Sequence, residues 1–162
     1  SESSLVFFFG LIFSKVKFCS TAIFLLVLSD QISKMIAENF LSTVSLKPIL
    51  PFINFVLVHN YGAAYGIFQN QKVFLIIVSS LVIFFCFYFR HSLAPSKLSR
   101  IGLSFLIAGA IGNLIDRCVY GYVIDFIHTP LVPVFNFADA FIDIGIVFLL
   151  IDLFYSKEKQ ND

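Results

Sequence analysis

The chain has 162 residues, of which 59% are hydrophobic and 13% are charged, and its formal net charge is +1. A soluble domain has about a quarter charged residues, so this composition indicates a membrane protein. A basic face for nucleic acid cannot be built from so small a net charge, which excludes nucleic acid as a partner. The three cysteines form an odd set without metal-ligand spacing, which argues against a disulfide framework.

Four apolar segments are long enough to cross a bilayer, for which about 20 residues are needed and about 17 are the lower limit. We predict spans near 18–37, 73–89, 101–119 and 137–155, joined on one side by loops at 38–72 and 120–136. The apolar run at 5–13 is too short to cross, and it either extends the first helix inward or lies in the interface. The predicted fold class is an α-helical membrane protein with four transmembrane helices, in a single membrane-embedded domain over residues 1–162.

Basic residues set the orientation of these helices. Seven of them fall on one side of the predicted topology: Lys15, Lys17, Arg90, Lys97, Arg100, Lys157 and Lys159. The other side has only Lys34, Lys47, Lys72 and Arg117. By the positive-inside rule both termini are cytoplasmic, and the loops 38–72 and 120–136 face outward.

The outward loops have strand-forming sequences. The stretch 52–59 is rich in Ile, Val and Phe, and 120–127 is similar, while prolines at 48, 51, 130 and 133 prevent helix formation. The turn sequence NYGAAYG at 60–66 follows the first of these stretches. We therefore predict a small extracytoplasmic β-rich platform that lies on the membrane.

The third span has a small and polar face. Gly102, Gly109, Asn113 and Asp116 are spaced 7, 4 and 3 residues apart, so they share one side of a helix. Small residues permit close helix packing, and the polar pair can point into the bundle. The alternative is that Asn113, Asp116 and Arg117 cap and anchor a helix end near the lipid headgroups.

The start of the fourth span has a similar polar face. Asn136, Asp139 and Asp143 are spaced 3 and 4 residues apart, and Asn136 is well placed as an N-cap with Asp139 reaching back. A capping box explains Asn136 and part of the role of Asp139. It does not explain Asp143 one turn further on, or Asp125 in the preceding loop.

Two carboxylates held close together in a partly desolvated place cannot both ionise readily, so one keeps a proton. Such a pair supplies a general base that activates water and a general acid that protonates a leaving amine. The sequence contains no HExxH zinc motif and no GxSxG nucleophile motif. We therefore predict that Asp125 and Asp139 form a catalytic pair.

Asp30 and Lys34, four residues apart on the first span, suit an ion pair whose role is structural rather than a substrate contact.

Five stretches, in this order along the chain, resemble the lipoprotein signal peptidase (signal peptidase II) family of bacterial membrane proteases. They are DQISK at 30–34, NYGAAYGIF at 60–68, GNLIDR at 112–117, VIDF at 123–126 and FNFADAFIDIG at 135–145. Each motif is weak alone, but five in order on a four-span topology are specific.

The resemblance implies an aspartyl endopeptidase of the bacterial inner membrane that cleaves diacylglyceryl-modified prolipoproteins just before the lipidated cysteine. The matching catalytic residues are Asp125 and Asp139. Positions that hold the substrate backbone and the inhibitor globomycin correspond to Asn60, Gly62, Asn113, Arg117 and Asn136. Structural support falls to Asp30, Lys34 and Asp116. The resemblance further implies a monomer in contact with membrane lipids, with no metal and no cofactor.

Asp143 departs from this pattern, since the family is expected to have a small or apolar residue there. Our hypothesis is that it raises the pKa of the catalytic pair by like-charge repulsion, or pairs with a polar group such as Lys34. The alternative function is a proton-coupled transporter subunit in which Asp116, Asp139 and Asp143 relay ions. Transport is disfavoured because the apolar stretches 101–111 and 144–151 carry no charge across the membrane. A third possibility is a structural or assembly factor with a polar helix-packing core.

Overall fold

The computed structural model describes residues 2–41, 47–50, 52–63 and 67–161, with side chains for 20–41, 52–63 and 67–157. The helices are α1 (Glu2–Leu41), α2 (Lys72–Tyr88), α3 (Arg90–Leu93), α4 (Lys97–Val119) and α5 (Phe137–Asn161). The strands are β1 (Lys47–Leu50), β2 (Ile53–Asn60), β3 (Val123–Thr129) and β4 (Val132–Phe135).

Each predicted apolar segment lies in one of the four long helices, and the run at 5–13 is part of α1. Within the described residues, two helical stretches are long and apolar enough to cross a membrane, Ser20–Leu41 and Lys97–Val119. The helix α2 is apolar but shorter, with 17 residues. The coarse prediction of a mainly helical protein with a small sheet and membrane-type helices is confirmed.

Helix α4 lies at the centre of the molecule and packs against α1, α2 and α5. Its approach to α5 is backbone to backbone: a Cβ atom at Gly102 would lie 2.9 Å from the carbonyl oxygen of Gly145. The same addition at Gly145 would come within 2.6 Å of the Gly102 carbonyl oxygen. At the start of α4, Ser96 caps the helix and its hydroxyl also donates to Asp152 of α5. Small residues on α4 therefore permit close packing, as the sequence predicts.

The two predicted β segments join into one antiparallel sheet with the strand order β1-β2-β3-β4. Both edge strands contain a proline, Pro48 in β1 and Pro133 in β4, which an edge tolerates because it has unpaired positions. The sheet packs on the end of α1 through Ala37, Leu41 and Phe126. In the pairing of β2 with β3, Val58 lies opposite Asp125. This strand pair therefore holds Asp125 at a fixed position near the C-terminal end of α1.

Candidate active site

A cleft of about 800 Å³ opens between the sheet and helices α2, α4 and α5. Its walls combine two kinds of residue. The apolar part includes Val78, Val82, Ala110 and Ile142. The polar part includes five residues that the sequence singles out, Asn60, Asn113, Arg117, Asp125 and Asp139.

Asp125 lies on β3 with only 2% of its surface exposed. Its Oδ2 accepts a hydrogen bond from Asn60 Nδ2 at 3.1 Å, and its Oδ1 accepts one from Asn136 Nδ2 at 2.8 Å. Burial raises the pKa of Asp125 to about 7, and the neighbouring charge of Asp139 adds to the rise. The two amide hydrogen bonds and the charge of Lys34 oppose it. Asp125 can therefore hold a proton near neutral pH.

Asp139 is the third residue of α5 and is half-buried. Its backbone N–H donates to Asn136 Oδ1 at 2.9 Å, and its Oδ2 accepts from the Asn136 backbone N–H at 3.2 Å. This reciprocal pair is the predicted capping box. The other carboxylate oxygen, Oδ1, accepts from Asn113 Nδ2 at 2.7 Å. Asp139 therefore caps α5 with one carboxylate oxygen and contacts Asn113 with the other.

Asn136 connects the two carboxylates. Its backbone N–H donates to Asp139, while its fully buried side-chain NH₂ donates to Asp125 and also lies 3.1 Å from Asn113 Oδ1. Because Asn136 Oδ1 accepts from the backbone of Asp139, the amide cannot turn round without losing that bond. A single rigid residue therefore sets the relative position of Asp125 and Asp139.

A buried ionic cluster lies behind this pair. Lys34 Nζ is 2.9 Å from Asp30 Oδ2, 2.8 Å from Asp116 Oδ2 and 3.0 Å from Asn113 Oδ1, so each of its three N–H groups has an acceptor. These ion-pairing side chains are at most 1% exposed. The predicted ion pair between Asp30 and Lys34 is confirmed, and its burial places both residues out of the cleft.

The two acids of the cluster also hold the backbone next to the catalytic candidates. Asp30 Oδ1 accepts from the backbone N–H of Ala138 at 2.8 Å, and Asp116 Oδ2 accepts from that of Ile124 at 3.1 Å. Ala138 and Ile124 directly precede Asp139 and Asp125. The buried cluster therefore fixes the main chain at both carboxylates.

Arg117 and Gly62 meet at the rim of the cleft. Arg117 Nη2 donates to the carbonyl oxygen of Gly62 at 3.2 Å, and the Gly62 N–H donates to Asn60 Oδ1 at 2.9 Å. This second bond orients the Asn60 amide so that its nitrogen points to Asp125. Residues 64–66 of the predicted NYGAAYG turn lie outside the described residues. The ten site residues that the sequence predicts thus form one connected arrangement.

The sequence patterns did not single out Gln31 or the pair that His59 forms with Glu38. Gln31 Nε2 donates to Asp116 Oδ1 at 2.9 Å and to the Gly112 carbonyl at 3.2 Å. Its position beside Asp30 in an apolar segment was a usable signal, because polar residues in such segments are costly. His59 Nε2 lies 2.7 Å from Glu38 Oε1, and the His59 ring stacks on Tyr122 at 4.2 Å. No local spacing predicts this pair, since α1 and β2 supply one residue each.

Asp143 lines the cleft one turn along α5 from Asp139, and its side chain is exposed. Lys34 has all its donors occupied by Asp30, Asp116 and Asn113, so the version of our hypothesis that pairs Asp143 with Lys34 is wrong. Among the side chains that the structure describes, none makes a hydrogen bond or ion pair with Asp143.

Comparison with known proteins identifies the family of this chain. The family model described as signal peptidase (SPase) II matches residues 22–155, which is most of the chain. The chain belongs to the signal peptidase II family. A signal peptidase II is a protease, so the resemblance and the prediction of a peptidase are both confirmed, and the transporter alternative has no support.

Curated relatives of this signal peptidase II family member are named lipoprotein signal peptidase. The protein of Acinetobacter baumannii is 38% identical over 85% of this chain and 82% of its own length. That of Thermodesulfovibrio yellowstonii is 44% identical over 79% and 88%, respectively. That of Clostridioides difficile is 38% identical over 86% and 96%.

Solved structures agree with the fold. A structure described as a bacterial membrane enzyme, determined by the in meso method at 2.3 Å resolution, superposes with a TM-score of 0.81 at 29% identity. The match covers 89% of this chain and 92% of that chain. A second bacterial membrane enzyme, at 1.9 Å resolution, gives a TM-score of 0.77 at 30% identity and covers 85% and 93%. The arrangement of helices and sheet is therefore one found in membrane enzymes.

Proposed function

We propose that this signal peptidase II is an aspartyl endopeptidase that removes signal peptides from diacylglyceryl-modified bacterial prolipoproteins, cutting before the lipidated cysteine. The observation that carries the proposal is the bridge made by Asn136, which donates to Asp139 through its backbone and to Asp125 through its side chain. Two carboxylates held by one rigid residue beside a cleft are the arrangement that acid–base hydrolysis of a peptide bond requires.

In this mechanism Asp125 holds the shared proton near neutral pH, as its raised pKa of about 7 favours, and Asp139 is ionised. Asp139 takes a proton from a water molecule, whose oxygen then attacks the scissile carbonyl carbon. When the tetrahedral intermediate collapses, the C–N bond breaks and Asp125 gives its proton to the leaving amine. Transfer of one proton from Asp139 to Asp125 restores the starting pair.

Five further residues of the site have binding or positioning roles in this proposal. Asn60, Gly62 and Arg117 form the rim and hold the substrate backbone, while Asn113 and Asn136 hold the carboxylates themselves. Asp30, Lys34 and Asp116 are structural support, since all three are almost fully buried. The chemistry that these residues can supply requires neither a metal nor a cofactor.

We further propose that α1, α2, α4 and α5 cross the inner membrane as one domain and that the protein acts as a monomer among membrane lipids. The distribution of basic residues supports cytoplasmic termini, and in this topology the sheet and cleft lie at the outer face. A helix of 17 residues such as α2 is about 26 Å long, close to the thickness of the hydrocarbon core. A diacylglyceryl group anchors the substrate in the bilayer, so its scissile bond is held at the depth of Asp125 and Asp139.

The test is cleavage of a purified diacylglyceryl-modified prolipoprotein by wild-type protein and by Asp125→Asn and Asp139→Asn. We expect each Asn variant to fold but to lose cleavage by a factor of at least about a thousand, and a chelator to leave wild-type cleavage unchanged. Asp152→Asn is the matched control, since Asp152 lies on the same helix as Asp139 and contacts Ser96 outside the cleft. Retained cleavage in Asp139→Asn contradicts the catalytic role of this residue. Normal function in both dyad variants would favour a structural or assembly factor.

A further inference from the structure

His59 joins the end of β2 to the end of α1. Its Nε2 lies 2.7 Å from Glu38 Oε1, and because a carboxylate only accepts hydrogen bonds, Nε2 carries the donated hydrogen. The face of the ring stacks on Tyr122 at 4.2 Å with an angle of 25° between the planes. Tyr122 in turn contacts the rings of Tyr61 and Tyr120. The His59 ring is therefore held at its edge and at its face, although the proposed reaction uses neither contact.

The pairing of β2 with β3 shows why an anchor is needed at this position. The register between the strands shifts between Phe55 and Val58, so the ladder is interrupted there. Before the interruption, Phe55 packs on the apolar core at the end of α1. After it, the paired residues are Val58, His59 and Asn60. Among the contacts that the structure describes, the bond from His59 to Glu38 links this last part of β2 to α1.

The part of β2 that His59 anchors carries a contact of the catalytic pair. Asn60 directly follows His59, and its Nδ2 donates to Asp125 Oδ2 at 3.1 Å. Glu38 lies four residues, about one turn, after Lys34 on α1, and Lys34 belongs to the buried cluster that fixes the main chain at both carboxylates. Since an N–H···O bond weakens beyond about 3.2 Å, a small displacement of this strand end is enough to lose the Asn60 contact.

We propose that His59 and Glu38 are positioning residues for cleavage, whose hydrogen bond ties the end of β2 to α1 and thereby keeps the Asn60 amide on Asp125. The inference rests on the proposed function. The pair does not touch the reacting atoms and acts through Asn60. Its side chains are 36% and 30% exposed, and such a surface pair adds little to folding stability. Its removal therefore affects catalysis more than unfolding.

The variants have to separate the hydrogen bond from the charges, because histidine and glutamate are titratable side chains. The titratable groups in contact with the His59 ring are Glu38 from α1 and Tyr122 from the segment before β3. His59→Ala and Glu38→Ala remove the bond from either side. His59→Gln keeps an N–H donor on a side chain of similar reach, and Glu38→Gln keeps an acceptor oxygen, both without charge.

The experiment measures kcat, kcat/KM against pH and the thermal unfolding midpoint for the full-length protein with a diacylglyceryl-modified prolipoprotein. His91→Ala is the matched control, since His91 is exposed on α3, away from the sheet. In His59→Ala and Glu38→Ala we expect kcat to fall at least about threefold, because small misplacements at a site are costly. The unfolding midpoint stays within a few degrees of wild type. Both Gln variants restore cleavage, and the control behaves as wild type.

The pH profile distinguishes positioning from a merely structural role. The Asn60 hydrogen bond lowers the pKa of Asp125, and complete loss of a bond to a charged group corresponds to about one to two pH units. We expect His59→Ala to move the alkaline limb of kcat/KM upward by about half a unit or more. Combining it with Asn60→Ala moves the limb no further than Asn60→Ala alone, because both act on one contact.

Each remaining outcome contradicts a specific step. An unmoved alkaline limb in His59→Ala, or additive shifts in the double variant, overturns positioning through Asn60 while the peptidase function stands. Equal losses in the Gln and Ala variants overturn the role of the hydrogen bond. If His59→Ala does not fold, Glu38→Ala carries the same test from α1. No cleavage by folded wild type overturns the proposed function and this inference with it.

Discussion

Lys34 Nζ donates to Asn113 Oδ1 over 3.0 Å, and this contact determines the direction of the hydrogen bonds that reach Asp139. An ammonium group has no acceptor, so Asn113 presents its oxygen to Lys34 and is left with its NH₂ group for Asp139 Oδ1 at 2.7 Å. The same lysine neutralises Asp30 and Asp116, which hold the backbone before Asp139 and Asp125. A residue outside the cleft thus positions both carboxylates.

Lys34→Met is expected to lower the stability of the protein strongly. The substitution leaves two carboxylates buried without a counter-charge, and breaking a buried ion pair in this way typically costs about 3–5 kcal/mol. Thermal unfolding in detergent measures the loss. Lys72→Met is the control, because Lys72 is exposed at the start of α2 and is expected to change the midpoint little. Equal midpoints for the two variants contradict the role of Lys34 as the neutralising group.

The pH dependence of cleavage is expected to follow Asp125. In the proposed reaction Asp125 has to be protonated and Asp139 ionised, and the pKa of Asp125 is raised to about 7. As the pH rises through this value Asp125 loses its proton, so kcat/KM falls about tenfold per pH unit above it. The apparent pKa belongs to the pair, because the two groups interact.

Asn60→Ala tests this assignment. Asn60 donates to Asp125 Oδ2, and a hydrogen bond to the charged form lowers the pKa of a carboxyl group. Its removal is expected to move the alkaline limb of kcat/KM to higher pH, together with a loss in absolute rate. If Asp143 also repels the pair, as the surviving version of our sequence hypothesis holds, Asp143→Asn moves the limb to lower pH. If the alkaline limb of kcat/KM moves in neither variant, the pKa of Asp125 does not control the pH dependence of cleavage.

The sequence alone predicts most residues of this site but not the long-range contacts that join them. Spacing on one helix places Asn113 and Asp116 on one face and pairs Asp30 with Lys34, because a helix has a fixed period. The hydrogen bond that Asp116 accepts from the β3 backbone requires the turn between α4 and β3. The bond that Asp30 accepts from the Ala138 N–H joins residues 108 positions apart. No local period predicts such contacts. The pairing of the two outer loops into one sheet is equally long-range, and it brings Asn60 to Asp125.

Gly145→Ala is expected to separate α4 from α5. The added methyl group would lie 2.6 Å from the Gly102 carbonyl oxygen, and a backbone atom cannot move aside without shifting the helix. Overpacking of this kind costs about 1–3 kcal/mol. The measurement is the thermal unfolding midpoint, with Ile144→Ala as the control because Ile144 is partly exposed on the outside of α5. A midpoint that drops no more than in the control contradicts close packing at Gly145.

Gly62→Ala is expected to reduce cleavage without unfolding the protein. A Cβ atom there would lie 2.7 Å from the carbonyl oxygen of Ile67, which accepts from the N–H of Ala63. The rim segment therefore has to shift, and the Gly62 N–H moves away from Asn60 Oδ1.

The consequence for catalysis follows from that bond. Once Asn60 Oδ1 loses its donor, the amide is free to turn its oxygen toward Asp125, which replaces a favourable contact by repulsion. We expect kcat to fall at least about tenfold while the unfolding midpoint stays within a few degrees of wild type. Ala63→Gly is the control, since it removes a side chain from the same rim without adding a clash. A rise in KM alone, with kcat unchanged, would show that Gly62 acts on substrate binding and not through Asn60 on Asp125.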